Sequence, residues 1–372
     1  MQMLARGFLV YDLTDSASLL GVVNAGSAIP MLTLVLFGGV IADRVECKRI
    51  IQIGQVSAAG LAIVVGVSIA TDTITWYHLL LASVLQGGFF AIMGPARQAI
   101  VPQLVSKDQL TNAMALNAAG MSITTLVAPV IGGVVYAFVG PEMVYFIISA
   151  LGILAVFFTS LIPGMKNDSA RTGAPMMTDI KAGFSYIRIN PLVLILLVMG
   201  LITTLLAMPF RFLMPVFVVD IYKLEADSMG LMIAVMGAGS LVGALAIASL
   251  GRRRRGMLLI ASSFASGIAL MLVASVPIYA YAVGFMVLLG LGDAGRRALN
   301  QAMIMEVSED QYRGRVMSIF MMNFGLMPLA VLPVGFAIDL WGGQVAIGIL
   351  AVLLLATSFI ILVTQKRLRD FQ

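Results

Sequence analysis

Apolar runs of about 20 residues follow one another along almost the whole chain, and no other feature restricts its fold so strongly. At a helical rise of about 1.5 Å per residue, each run can cross roughly 30 Å of hydrocarbon. Between polar breaks the runs fall near 17–42, 48–70, 76–97, 111–139, 141–163, 191–219, 227–250, 257–275, 278–298, 311–339 and 342–364. The first dozen residues read as the end of one more helix. In lipid the backbone must satisfy its own polar groups, so the runs predict an all-α integral membrane protein with eleven complete spans. A soluble chain that is 60% hydrophobic and 11% charged would instead expose large apolar patches and aggregate.

The few charges orient these spans. Of the 23 lysines and arginines, all but Arg6, Arg211 and Lys223 lie in breaks that share one side of the membrane. Those breaks include Arg44, Lys48 and Arg49; Arg97 and Lys107; Arg252 to Arg255; Arg296 and Arg297; and the tail with Lys366, Arg367 and Arg369. Positive loops stay in the cytoplasm, so the rule predicts a multi-pass plasma-membrane protein with a cytoplasmic C-terminus. Trp76, Tyr77 and Trp341 fall at the opposite ends of spans, where an aromatic belt belongs. The longest polar stretch, 164–190, separates an N-terminal membrane half (1–163) from a C-terminal half and tail (191–372). Within it Ile180, Phe184 and Ile187 share one face, which predicts a short amphipathic surface helix over 178–189.

The halves repeat one another. "VSKDQL" at 105–110 returns as "VSEDQY" at 307–312, and the same offset carries Gly133 to Gly335 and Gly140 to Gly342. Both copies hold Ser-x-x-Gln, Ser106 to Gln109 and Ser308 to Gln311, the spacing of a capping box that starts a helix. A parallel duplication of six-helix units accounts for the shared offset.

"GGVIADRVECKR" at 38–49, between the second and third spans, then resembles the major facilitator superfamily. The family's Gly-x-x-x-Asp-Arg-x-Gly-Arg-Lys is matched at Gly39, Asp43, Arg44 and Lys48, with Arg49 beside them; Glu46 and Cys47 depart from it. The acidic Glu46 is similar to the branch that includes the enterobactin exporter and drug:proton antiporters. "MQMLARGFLVYDLTDSASLLG" resembles that branch's first helix entered partway, as if about 20 residues preceded it. The resemblance implies a cytoplasmic latch between halves, with Asp43 at a helix C-terminus needing compensation from neighbouring cations or another helix N-terminus. A plain topology anchor is the alternative. "GMSITTLVAPVIGG" similarly resembles an antiporter signature at Pro129, Gly132 and Gly133. The alternative there is ordinary packing of small residues between helices.

Other chemistries lack their residues. One histidine, His78, and one cysteine, Cys47, rule out a thiolate metal cage and His-based nucleophile activation. No Gly-x-x-x-x-Gly-Lys occurs, so the chain has no P-loop, and no cofactor is implied. Arg211 lies between Pro209 and Pro215 inside the 191–219 run, where a charge is costly and faces either a cavity or an interhelical ion partner. Arg6 occupies a similar place in the first helix and reads equally as a cavity residue or a side chain snorkelling outward. Asn24, Gln86, Asn117 and Asn323 could line a path or hold helices together. Asp220, Asp339 and Asp293 are the candidate carriers of a coupling proton, with Asp293 one turn from Arg296 and Arg297. These features predict a secondary transporter, neither an enzyme nor a nucleic-acid binder. The resemblance further implies a monomer that exports amphiphilic small molecules by proton antiport through alternating access. A non-transporting sensor or scaffold, or the membrane subunit of an ATP-driven pump, are the rival readings.

Overall fold

The computed structural model describes residues 1–34, 45–106, 109–163, 185–250, 254–369 and 371. Every element among them is helical. Among the described residues eight helices are long and apolar enough to cross a membrane, and Leu126–Phe138 and Gly325–Trp341 add shorter apolar segments.

Helix ends follow local chemistry. Ser16 caps the Ala17–Ala25 helix by accepting from the Leu19 amide at 3.2 Å. Asn190 caps Pro191–Ala207 from the residue before its N-terminal proline. Thr75 and His78 form a reciprocal capping box at the start of Trp76–Leu104, which gives the chain's one histidine a structural role. Gly140 and Gly342, at φ 114° and 83°, make turns that a side chain would resist.

The capping boxes expected at Ser106 and Ser308 do not form. The following helices start later, with Gln109 and Glu309 at their N-caps and no side-chain cap bond. The predicted amphipathic helix is described only over 185–189. There Tyr186 and Ile187 are buried among Leu196, Met303 and Val316 instead of facing lipid. Tyr186 stacks on Tyr312 at 4.4 Å and accepts the Glu309 amide through its hydroxyl. Residues 178–184 lie outside the described residues.

The chain divides into two compact units, Met1–Thr172 with Leu224–Gly230, and Gly173–Lys223 with Leu231–Gln372. In the first, the Cys47–Ala70 helix packs along Pro141–Ser160, with Gly66 against the Phe146 ring and Gly152 against Ala59. In the second, the core gathers Val193, Leu196, Leu259, Ile260, Leu299, Met303 and Phe320. Leu368 of the short Lys366–Arg369 helix is fully buried in that same core and rests on Gly256. Full burial of one leucine stabilises by about 1.5–3 kcal/mol, so the tail is docked.

Two corrections to the expected spans shape the site. The 191–219 run is not one helix. It breaks at Met208, resumes as Pro209–Phe212 and Met214–Val216, and ends in a π-turn, Phe217–Ile221. Pro209 and Pro215 lack the amide that a continuous helix needs and clash with the preceding turn. The 278–298 run continues to Val307, so Arg296 and Arg297 sit within the Tyr279–Val307 helix and not in a loop after it.

Candidate functional site

In the second unit the glycines of Tyr279–Val307 decide which polar groups become buried. A Cβ at Gly290 would lie 2.0 Å from the Met236 carbonyl oxygen, so Ala226–Leu250 meets this helix backbone to backbone. At Gly292 and Gly295 a Cβ would lie 2.3 and 2.0 Å from the hydroxyls of Ser266 and Ser262 on Arg255–Ser275. Small residues one turn apart permit such approach. Asp293 and Arg296, on the same stretch, are thereby buried, with side chains only 5% exposed.

Asp293 accepts from two arginines of its own helix. Arg296 Nη2 reaches Oδ1 at 3.2 Å, and Arg297 Nη2 bonds Oδ2. Arg296 also donates from Nη1 to the Thr203 carbonyl at 2.9 Å and from Nε to the Ser266 hydroxyl at 3.2 Å. The Arg297 side chain is 46% exposed. Arg211, from the proline-bounded Pro209–Phe212 segment, lines a cavity of about 10 Å³ with Asp293 and Arg296, beside Met208, Met236 and Leu289. Its Nε is buried without a hydrogen-bond partner. Arg211 lines this cavity, and no salt bridge to it forms among the described residues. A second cavity of about 30 Å³ is lined by Gly200, Thr203, Thr204, Met208, Arg296, Arg297, Asn300, Phe320 and Met327. That holds about two water-sized groups, enough for the polar end of a larger molecule. Among the described residues, three guanidiniums therefore lie about a single carboxylate beside mixed polar and apolar walls.

The first unit also holds a buried cation. Arg6 is only 8% exposed and does not snorkel outward. Its Nη1 donates to Gln86 Oε1 at 3.1 Å and its Nη2 to Asn24 Oδ1 at 3.3 Å. Asn24 donates onward to the Leu20 carbonyl at 2.9 Å, and Gln86 to Gln2 Oε1. Neutral amides satisfy this cation, and its Nε has no partner.

The remaining predicted residues are dispersed. Lys48 donates to the Ser160 and Ile162 carbonyls at 2.9 and 2.5 Å, closing the C-terminal end of Pro141–Ser160. Arg49 pairs with Glu46 at 3.1 Å on the surface. Gly39, Asp43 and Arg44 lie outside the described residues. Pro129 and Gly133 pack against Leu224–Gly230 within the first unit, where a Cβ at Gly133 would meet the Ala226 carbonyl oxygen at 2.8 Å. Gly132 faces Met1. Asn117 is exposed, and the Asn323 side chain lies outside the described residues. Asp220, in the π-turn, and Asp339, near the end of Asp310–Trp341, are exposed.

A family model of the Major Facilitator Superfamily matches residues 1–327 and, in a second match, 226–370. The chain belongs to the Major Facilitator Superfamily. It is a transporter of small molecules and not an enzyme, and it passes the membrane several times. The staphyloferrin A transporter of Staphylococcus aureus is 26% identical over 340 residues, 88% of this chain and 82% of that protein. The enterobactin exporter EntS of Shigella boydii (strain Sb227) is 27% identical over 310 residues, 82% of this chain and 73% of its own length. Two solved transporters share the facilitator fold. A mutant of the nucleoside transporter NupG superposes with a TM-score of 0.83 at 16% identity, covering 98% of this chain and 95% of its own. A bacterial homologue of the human lysosomal transporter Spinster gives 0.73 at 13% identity, covering 99% and 95%.

Sequence reasoning missed Asn300, Thr203 and Ser266. Asn300 is 3% exposed, and its Oδ1 is buried without a donor. The legible signal was the small-residue spacing of "GLGDAG" at 290–295, which marks a face where neighbouring helices come close.

Proposed function

We propose that this facilitator is a plasma-membrane exporter of anionic or neutral amphiphiles, driven by exchange for protons. The observation that carries the reading is the imbalance in the second unit, where Arg211, Arg296 and Arg297 share Asp293 alone among the described residues. A cation finds no free counter-charge there, whereas an acid group can take the bidentate donors that guanidinium offers. Met208, Phe320 and Met327 beside those donors suit an amphiphile. The relatives' names, an enterobactin exporter and a staphyloferrin A transporter, support the direction and the small-molecule class.

Moving an anion out and a proton in transfers charge in the same electrical sense. An inside-negative potential favours each, at about 2.3 kcal/mol per charge per 100 mV. Asp220 and Asp339, at helix ends away from the arginine cluster, are the carboxylates assigned to proton exchange. The protein works as a monomer with its C-terminus in the cytoplasm.

The test compares efflux of an anionic and a cationic dye from cells carrying wild type or Arg211→Ala. The variant is expected to lower anion export at least about tenfold, the loss of one good charge-assisted contact, while any export of cations stays unchanged. If cations are the better substrates and Arg211→Ala leaves anion export intact, the assignment fails.

A further inference from the structure

We propose that Asp293 is a built-in counter-anion, occupying the guanidinium fork of Arg296 and Arg297 that an acid group of the substrate takes over. The inference rests on the reading of the substrate as an anion and explains how such a site can stay empty without collapsing. Two arginines four angstroms or less from one carboxylate, on the Tyr279–Val307 helix, leave a net positive charge that apolar surroundings do not hold unaided. Arg211 adds a third cation from a different element, with no carboxylate of its own among the described residues.

The geometry makes exchange feasible. Arg296 lines both cavities, with Asp293 on the side of the smaller one and the Thr203, Thr204 and Asn300 side chains around the larger. An acid group entering the larger cavity meets Arg296 and Arg297 without first displacing Asp293. Arg296 is fixed by the Thr203 carbonyl and the Ser266 hydroxyl and keeps its place when its partner changes. Among the described residues Arg297 bonds Asp293 alone, and it is half exposed, so it is the arm that can turn from one carboxylate to the other. Asn300, buried with an unpaired amide oxygen, lies one turn beyond Arg296 on the same helix and can accept from a hydroxyl next to the acid group. Asp293 thus competes with the cargo for the same donors, which weakens retention and favours release.

Benzoate and its neutral isostere benzamide probe this with the purified full-length protein, read as the thermal unfolding midpoint against ligand concentration. Asp293→Asn vacates the fork, so benzoate is expected to bind it at least about tenfold more tightly than wild type. Benzamide is expected to stabilise neither, and Asp293→Glu should respond as wild type does. Equal benzoate responses in Asp293→Asn and wild type overturn the proposal, as does a benzamide response matching that of benzoate. An Asp293→Asn protein that is destabilised and ignores benzoate makes Asp293 a plain brace and also overturns it. Should the variant not survive purification, benzoate included throughout must rescue it, and failure of that rescue counts against the proposal. Anionic-dye efflux by wild-type cells reads the proposed function separately. Retained efflux alongside a missing benzoate response would sink this inference while leaving anion export standing.

Discussion

Arg6→Met separates a working charge from a structural one. Arg6 donates to two neutral amide oxygens, on Gln86 and Asn24, and is only 8% exposed. Removing it leaves those two acceptors short of a donor, at about 1–3 kcal/mol each. It also removes an ion whose burial costs several kcal/mol without a carboxylate to offset it. Methionine follows much of the arginine stem and keeps the packing. The opposing effects nearly cancel, so the stability of Arg6→Met is expected within about 2 kcal/mol of wild type. Arg296→Met is the contrast, because it deletes contacts to Asp293, Thr203 and Ser266 at once. Breaking a buried ion pair from one side costs roughly 3–5 kcal/mol, somewhat less here because Arg297 still holds Asp293. Thermal unfolding in detergent and efflux of an anionic dye measure the two effects separately. Arg6→Met should keep its unfolding midpoint within a few degrees and lose at least about tenfold in efflux, the equivalent of one charge-assisted contact. A midpoint that falls as far as that of Arg296→Met would make Arg6 a cross-brace. Wild-type efflux with wild-type stability would leave its charge without a task in transport, and the reasoning would be refuted.

Other expectations follow from single positions. A reporter active only outside the cytoplasm, fused after Gln372, should stay silent, and strong activity there would reverse the topology. Asp43→Asn, outside the described residues, should impair efflux while membrane levels on an immunoblot remain normal; unaltered efflux would reduce the motif to an anchor. Gly290→Leu should prevent accumulation of folded protein, because even a Cβ there would lie 2.0 Å from the Met236 carbonyl oxygen. Normal yield and a normal unfolding midpoint would contradict that close helix contact.

The fold was legible because its determinants are local and additive. Apolar length, basic loops and proline or glycine at helix ends each act within a few residues, so they can be read without knowing what packs against them. The capping boxes failed for the complementary reason. Ser106 and Ser308 had the right spacing, but the two helices have Gln109 and Glu309 at their N-caps, with no side-chain cap bond. Near Ser308, the Glu309 amide is bound instead by the Tyr186 hydroxyl, a residue more than a hundred positions away.

The site shows where local reading ends. Arg296 and Arg297 were assigned to a loop because charges usually mark the end of a span, and that rule treats each residue by its own cost. The cost changes when "GLGDAG" brings two helices into backbone contact and supplies the Ser266 hydroxyl; the broken helix supplies the Thr203 carbonyl. A guanidinium that would be expelled from lipid becomes tenable, since three contacts from three helices satisfy it. Arg211 was legible as unusual from its prolines, yet its cavity depends on Asp293 and Met236, far apart in sequence. Arg6, which read equally as a cavity residue or a snorkelling side chain, turns inward because Gln86 and Asn24 come to it from other helices. In each case the sequence identified a charge that needed compensation, and tertiary packing decided where compensation came from. The cations left over after that compensation, Arg211 above all, are the groups with binding capacity to spare for a cargo.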